Sequence, residues 1–248
     1  MLKRVLYTTS SIVLATGMAI GAANAIVIDS FSTPLSAAFG VLLQPGPGTA
    51  TDVSAGAGIL GGDRELVLVN LGGAGDTVSA NANGGSFQHN NGSGAGSSLL
   101  RWDGTGGTTG LDFGLGDIDL TEGGANDSVQ IDVLFADLTS GSVNMTFYTD
   151  ATNFSVVNVN LPTGTSQHFF EFSEILASAN IGSDGGVNLT MVNAIELLAE
   201  GGPGFDLSLD FIQTTLDVTR DVPEPASMTL LGASLIGLAG IRRRRQRS

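Results

Sequence analysis

The chain contains no cysteine. That one absence excludes disulfides, thiolate-ligated zinc, iron–sulfur clusters and a cysteine nucleophile, and it leaves the packed core to hold the fold. Basic side chains are scarce as well. Lys3 and Arg4 stand at the start, Arg242, Arg243, Arg244, Arg245 and Arg247 at the end, and only Arg64, Arg101 and Arg220 lie between them. All but Glu224 of the 24 acidic side chains fall within residues 26–221, a body of net charge about −20. Nucleic acid is excluded as a partner, because affinity for phosphate backbones comes from basic groups displacing counterions. Disorder is excluded too: it needs low hydrophobicity with high charge, and this chain is 42% hydrophobic and 14% charged.

The two ends carry addressing signals. Residues 1–25 run from Lys3 and Arg4 through an apolar stretch, Ser11 to Ile20, to Ala23-Asn24-Ala25. This is the order of a secretory leader, with small side chains at Ala23 and Ala25 for the shallow pockets of a signal peptidase and a cut before Ile26. Near the other end Pro223-Glu224-Pro225 precedes an uncharged segment, Ala226 to Ile241, and then the arginine cluster. As a helix that segment is roughly 24 Å long, a little short of the roughly 30 Å hydrocarbon core, a gap that snorkelling arginines close. The positive-inside rule puts both basic ends in the cytoplasm and exports everything between them.

The Pro-Glu-Pro, the glycine-interrupted apolar helix with Gly232, Gly237 and Gly240, and the terminal arginines resemble the PEP-CTERM sorting signal of Gram-negative bacteria. The resemblance covers residues 222–248. It implies recognition of Pro223, Glu224, Pro225 and the cluster Arg242, Arg243, Arg244 and Arg245 by an exosortase, a membrane-embedded cysteine protease or transpeptidase that cleaves near the Pro-Glu-Pro. It further implies transient residence in the inner membrane, release to the cell surface or extracellular matrix, and a link to exopolysaccharide or biofilm. The two prolines hold Glu224 on extended backbone, the form a protease takes.

Between the ends the period is two. Val129, Ile131, Val133 and Phe135 alternate with polar residues, as do Val143, Met145 and Phe147 and then Val157, Val159 and Leu161. This predicts strands with one buried face. Further runs at 25–31, 65–70, 98–103, 167–172, 192–198 and 205–213 bring the total to about nine and predict an all-β, jelly-roll-like sandwich in a single domain, residues 26–221. Ser173 to Ala177 is expected to form one helical turn capped by Ser173. Residues 40–63 and 71–97, rich in glycine and asparagine, are expected as long surface loops, the second with room for a short hairpin.

The runs 169–173, 192–198 and 205–212 resemble the closing half of secreted galactose-binding-like jelly rolls. That resemblance implies a structural calcium pinning first strand to last, with Asp29 and Asp210 as its candidates. Asp117 and Asp119, expected on one face of a strand, form a second candidate pair of hard oxygen ligands. Arg101, Trp102 and Asp103 are the candidate carbohydrate site, in which the single tryptophan stacks on a sugar ring and its neighbours hold hydroxyls. Alternation also supports a core Trp102 with its neighbours outward. His89 and His168 are the only histidines and lack a G-x-S-x-G elbow, so no catalytic residue is assigned and the chain is read as a non-enzyme. The expected function is structural or adhesive at the cell surface. A carbohydrate-binding module on exopolysaccharide is the alternative, and a secreted glycoside hydrolase the third reading.

Overall fold

The computed structural model describes residues 24–106, 110–137, 141–159, 163–178 and 185–216. The leader through Ala23, Arg220 and the sorting tail lie outside them. Among the described residues no helix is long and apolar enough to cross a membrane.

The described residues form thirteen strands, one short α-helix and two single 3-10 turns (Ala38–Gly40 and Glu122–Gly124): β1 (Val27–Asp29), β2 (Val41–Pro45), β3 (Gly48–Ala55), β4 (Asp63–Asn70), β5 (Thr77–Asn83), β6 (Ser86–Asn91), β7 (Gly96–Trp102), β8 (Ser128–Asp137), β9 (Gly141–Tyr148), β10 (Phe154–Val159), β11 (Ser166–Glu171), α1 (Phe172–Ala177), β12 (Ala194–Gly201) and β13 (Asp206–Thr215). They form two antiparallel sheets. One has seven strands in the order β11-β8-β13-β6-β5-β2, with β1 also on β13, and the other has six in the order β10-β9-β12-β7-β4-β3. The inward residues of both sheets, among them Leu66, Leu100, Ile131, Phe147, Leu197 and Ile212, join one buried cluster. Each such large side chain contributes roughly 1.5–3 kcal/mol by leaving water.

Two segments expected as loops are strands. Residues 40–63 hold β2 and β3, and 71–97 hold β5, β6 and the start of β7. The alternation is present but is carried by small side chains, with Val78, Ala80 and Ala82 buried between Ser79 and Asn81, so hydropathy gives it little contrast. The hairpin allowed for in the second segment is real: β5 pairs with β6 across Gly84-Gly85. Both glycines have positive φ, 64° and 92°, as a two-residue turn matching strand twist requires. The helical turn exists at the expected place, but Ser173 is not its cap. α1 begins one residue earlier, and Ser173 Oγ donates to Glu171 Oε2 at 3.0 Å.

Three polar groups are buried between the sheets. Asp29 of β1, Arg64 of β4 and Trp102 of β7 are all fully buried. Arg64 Nη1 donates to both Asp29 oxygens, at 3.2 and 3.0 Å, and Trp102 Nε1 donates to Asp29 Oδ2 at 2.9 Å. At the far end His89 of β6 meets Ser98 of β7, Nδ1 to Oγ 2.7 Å, beneath the Phe205 ring.

Two stability measurements test this core. Removing one member of a buried ion pair costs about 3–5 kcal/mol, whereas replacing both by apolar groups costs far less. Asp29→Ala is therefore expected to lower the denaturation midpoint more than the double change Asp29→Leu with Arg64→Met; equal or reversed losses would show that the pair does not hold the sheets. Burial lowers the His89 pKa from 6.5 to about 4, so between those values the unfolded chain binds a proton that the folded one refuses. Stability is thus full above pH 6.5 and falls as pH drops toward 4, by on the order of 3 kcal/mol. His89→Gln should flatten that segment of the pH–melting curve, and an unchanged slope would assign it to other groups.

Candidate functional site

The candidate sugar-stacking residue is not on the surface. Trp102 faces inward on β7 and is fully buried against Asp29 and Arg64, so it cannot stack on a ligand. Arg101 and Asp103, its outward neighbours, are themselves largely covered, at 7% and 4% exposure. The calcium candidates are likewise redirected. β1 does pair with β13, but Asp29 turns into the core and its carboxylate is taken by a guanidinium, an indole and the amide of Phe31. Asp210 is half-buried at a register shift of β13. Asp117 and Asp119 do not lie in a strand. Asp117 has φ 58°, and Asp119 closes a turn, with Oδ1 accepting from Thr121 and Oδ2 from the Gly123 amide. Among the described residues no three His, Asp or Glu side chains are grouped to hold a metal ion.

What the structure brings together instead is a row across the outer face of the six-stranded sheet. Register sets Glu196 of β12 opposite Arg101 of β7, and Arg101 opposite Glu65 of β4. All three point outward, because Leu66, Leu100 and Leu197 beside them point in. Arg101 Nε and Nη2 reach Glu196 Oε1 at 2.8 and 2.7 Å, and Nη1 reaches Glu65 Oε2 at 3.2 Å. Tyr148 of β9 donates its hydroxyl to Glu196 Oε2 at 2.6 Å.

Tyr148 is the centre of an aromatic group. Its ring lies 5.5 Å from Phe154 of β10 and 6.0 Å, edge-on, from Phe113. Phe113 arrives on the segment after β7, which is tied back to Asp103 by its carbonyl accepting from Gly114 N and its carboxylate from Asp112 N, both 2.7 Å. All three rings are half-buried. Below the row, Leu99, Leu198 and Val67 give the same face an apolar floor of half-buried side chains.

The electrostatics follow from crowding. Burial, reinforced by the Asp103 charge, raises the Glu65 pKa against the pull of Arg101, and burial raises Asp103. Burial and then the Glu196 carboxylate lift the Tyr148 phenol far above its ordinary range, so it remains a hydrogen-bond donor at any physiological pH. Glu65 and Glu196 share one cation, which offsets their charge and fixes their position.

None of Phe113, Tyr148, Phe154, Glu65 and Glu196 was singled out by sequence. They come from four strands and a loop, up to 131 positions apart between Glu65 and Glu196. The available signal was the alternation around Val143, Met145 and Phe147, which places Thr146 and Tyr148 outward. Among the described residues His89 lies in the core with Ser98, and His168 packs edge-on against Phe170 at 4.4 Å.

Comparison with solved structures gives distant likenesses. A family 11 carbohydrate-binding module, CtCBM11, is 13% identical over 81% of this chain and 99% of its own, with a TM-score of 0.40. The family 11 module of the cellulosomal cellulase Lic26A-Cel5E of Clostridium thermocellum is 12% identical over 78% and 95%, at 0.37. An agarase, AgWH50C, is 13% identical over 60% of this chain and 22% of its own, at 0.33. At this level they bear on neither ligand nor activity. Comparison with curated protein sequences finds no match. Residues 221–245 match the model of the PEP-CTERM protein-sorting motif, as the residues at that end imply. The chain is a protein that carries the PEP-CTERM sorting motif.

Proposed function

We propose that this is an exported, adhesive protein of the cell surface or matrix, cut by a signal peptidase after Ala25 and by an exosortase near Pro223-Glu224-Pro225. Its jelly-roll-like sandwich, residues 26–221, then holds a polysaccharide on the outer face of the six-stranded sheet. One observation carries the binding reading: the half-buried rings of Phe113, Tyr148 and Phe154 beside the fixed line of Glu196, Arg101 and Glu65. Aromatic rings stack on the apolar faces of sugars, while the half-buried Glu196 accepts from hydroxyls, held in place by Tyr148 and by the covered Arg101 that Glu65 anchors. Both arginines of the described body are engaged by carboxylates, in an acidic surround that repels uronates and phosphates. The ligand is therefore a neutral polysaccharide. Because Glu65 and Glu196 both serve Arg101, the pair favours binding over hydrolysis.

Two experiments test this. In affinity electrophoresis through neutral glucans and galactans, with alginate as the anionic comparison, migration should slow only in a neutral gel. Tyr148→Ala should then weaken retention by up to about tenfold, from roughly 0.5–1.5 kcal/mol per ring, and Tyr148→Phe less, with melting temperatures within a few degrees of the parent. Migration indifferent to every gel would leave a purely structural role. Intact-mass analysis of the protein recovered outside the cell should show loss of the apolar segment and the arginines, and a mature protein that retains Arg242 to Arg245 would overturn the processing step.

A further inference from the structure

At the opposite edge of the sandwich from the His89 end, the first and last strands meet. Ile26 N donates to Thr214 Oγ1 at 2.8 Å, and Thr214 N donates to Ile26 O at 2.9 Å. Thr214 is fully buried. Beside this contact lies Asn126, 3% exposed, whose Nδ2 donates to Thr214 Oγ1 at 2.9 Å and to Asn24 O at 3.1 Å. Its Oδ1 is buried and has no hydrogen-bond partner. A buried carboxamide oxygen left unpaired costs roughly 1–3 kcal/mol, so it implies a donor that belongs there. Ile26 also borders an open cleft of about 490 Å³ whose charged lining is Asp117, Asp119 and Glu122. Hydrogen bonding from the Thr121 hydroxyl lowers the Asp119 pKa against the small cost of burial, with the Gly123 and Thr121 amides adding to this. The cleft is negative and its lining contains no cation.

We propose that this is the docking site of the chain's own N-terminal ammonium, formed by cleavage before Ile26. Hydrolysis of the Ala25–Ile26 peptide by water sends Ala25 away as a carboxylate on the leader. Ile26 keeps the nitrogen, which takes up a proton. As an amide, that nitrogen has one hydrogen, already given to Thr214. As an ammonium it has two more, to be shared between the acidic cleft that Ile26 lines with Asp117, Asp119 and Glu122 and the carboxamide of Asn126, which meets Ile26 at Thr214 Oγ1 and keeps an unpaired Oδ1. Losing residues 24 and 25 also removes Asn24 O from Asn126, so the cut rearranges the polar contacts of a buried residue on β13's flank.

The same contacts set the order of events. Ile26 and Thr214 are 188 positions apart, so β1 leaves the membrane first and gains its partner only when β13 follows. A peptidase needs accessible extended chain, and Ile26 is no longer free once β13 has closed on it. Cleavage therefore precedes closure, and closure buries the new terminus. The inference rests on the export reading above and is independent of the polysaccharide.

Composition makes the test direct. Lys3 is the only lysine, so in the exported protein the Ile26 amine is the only primary amine. The full exported protein is treated with an acetylating active ester across pH 6 to 9, with and without urea, and acetylation is read by intact mass. The folded amine should react about tenfold more slowly than the unfolded one at pH 6, equivalent to a shift of about one unit above the ordinary α-amino range of roughly 7.7–8.0. The double variant Asp119→Asn with Glu122→Gln keeps the oxygen that accepts from Thr121, gives up the one that accepts from the Gly123 amide and removes two charges; it should react faster and move the pH profile down. Thr214→Val should do the same if it folds, and the double variant alone suffices if it does not. An N-terminus other than Ile26, a folded amine that labels at the unfolded rate, or a double variant with the parent's profile would each overturn the proposal. Protection without polysaccharide retention would leave this inference standing and remove only the binding reading.

Discussion

Fully buried charge is the constraint around which this sandwich is organised. Asp29 and Arg64 have no exposed surface, and each ion alone would face a desolvation penalty of several kcal/mol. The pair is tolerable because its hydrogen bonding is nearly complete. Asp29 accepts from the guanidinium, the Trp102 indole and the Phe31 amide, while Arg64 also donates to Thr33 O at 2.7 Å. Only Arg64 Nε lacks a partner. These contacts join a strand of one sheet to two strands of the other and to the segment after β1. They also hold Phe31 at φ 49°, a conformation costly for a bulky side chain, with its ring 5.7 Å from Phe87.

Pinning the core in this way affects the outer surface. With Trp102 and Arg64 pointing in, alternation forces Arg101 and Glu65 out, and antiparallel register then lines up Glu196. The inward network and the outward row are the two sides of the same pair of strands. Close approach at the far end works similarly: a Cβ on Gly141 or Gly201 would come within 2.4 or 2.5 Å of the Phe205 ring, so two strand glycines exist to let one phenylalanine close the core.

Much of this was legible in the chain. Strands with large alternating residues, such as β8, β9 and β13, declare themselves by period two, and the sorting motif declares itself by order and spacing. β5 and β6 did not, because Ala80 and Ala82 contrast weakly with serine and asparagine. Nor did the fate of the acids: Asp29 and Asp119 offer the same carboxylate to a sequence reader, yet one neutralises a buried arginine and the other closes a turn. Trp102 was compatible with both surface and core, and burial decided for the core.

Sequence alone carried the sorting motif at residues 221–245, the missing thiols and the segregated charge, since these are properties of composition and local pattern. It also determined the fold class, because a two-residue period is local. Only the tertiary structure decided which side chains meet. Glu65, Arg101, Tyr148 and Glu196 are gathered by register between strands distant in the chain, and Ile26 finds Thr214 across nearly its whole length. Such contacts depend on how loops return and sheets stack, and no local pattern carries that information.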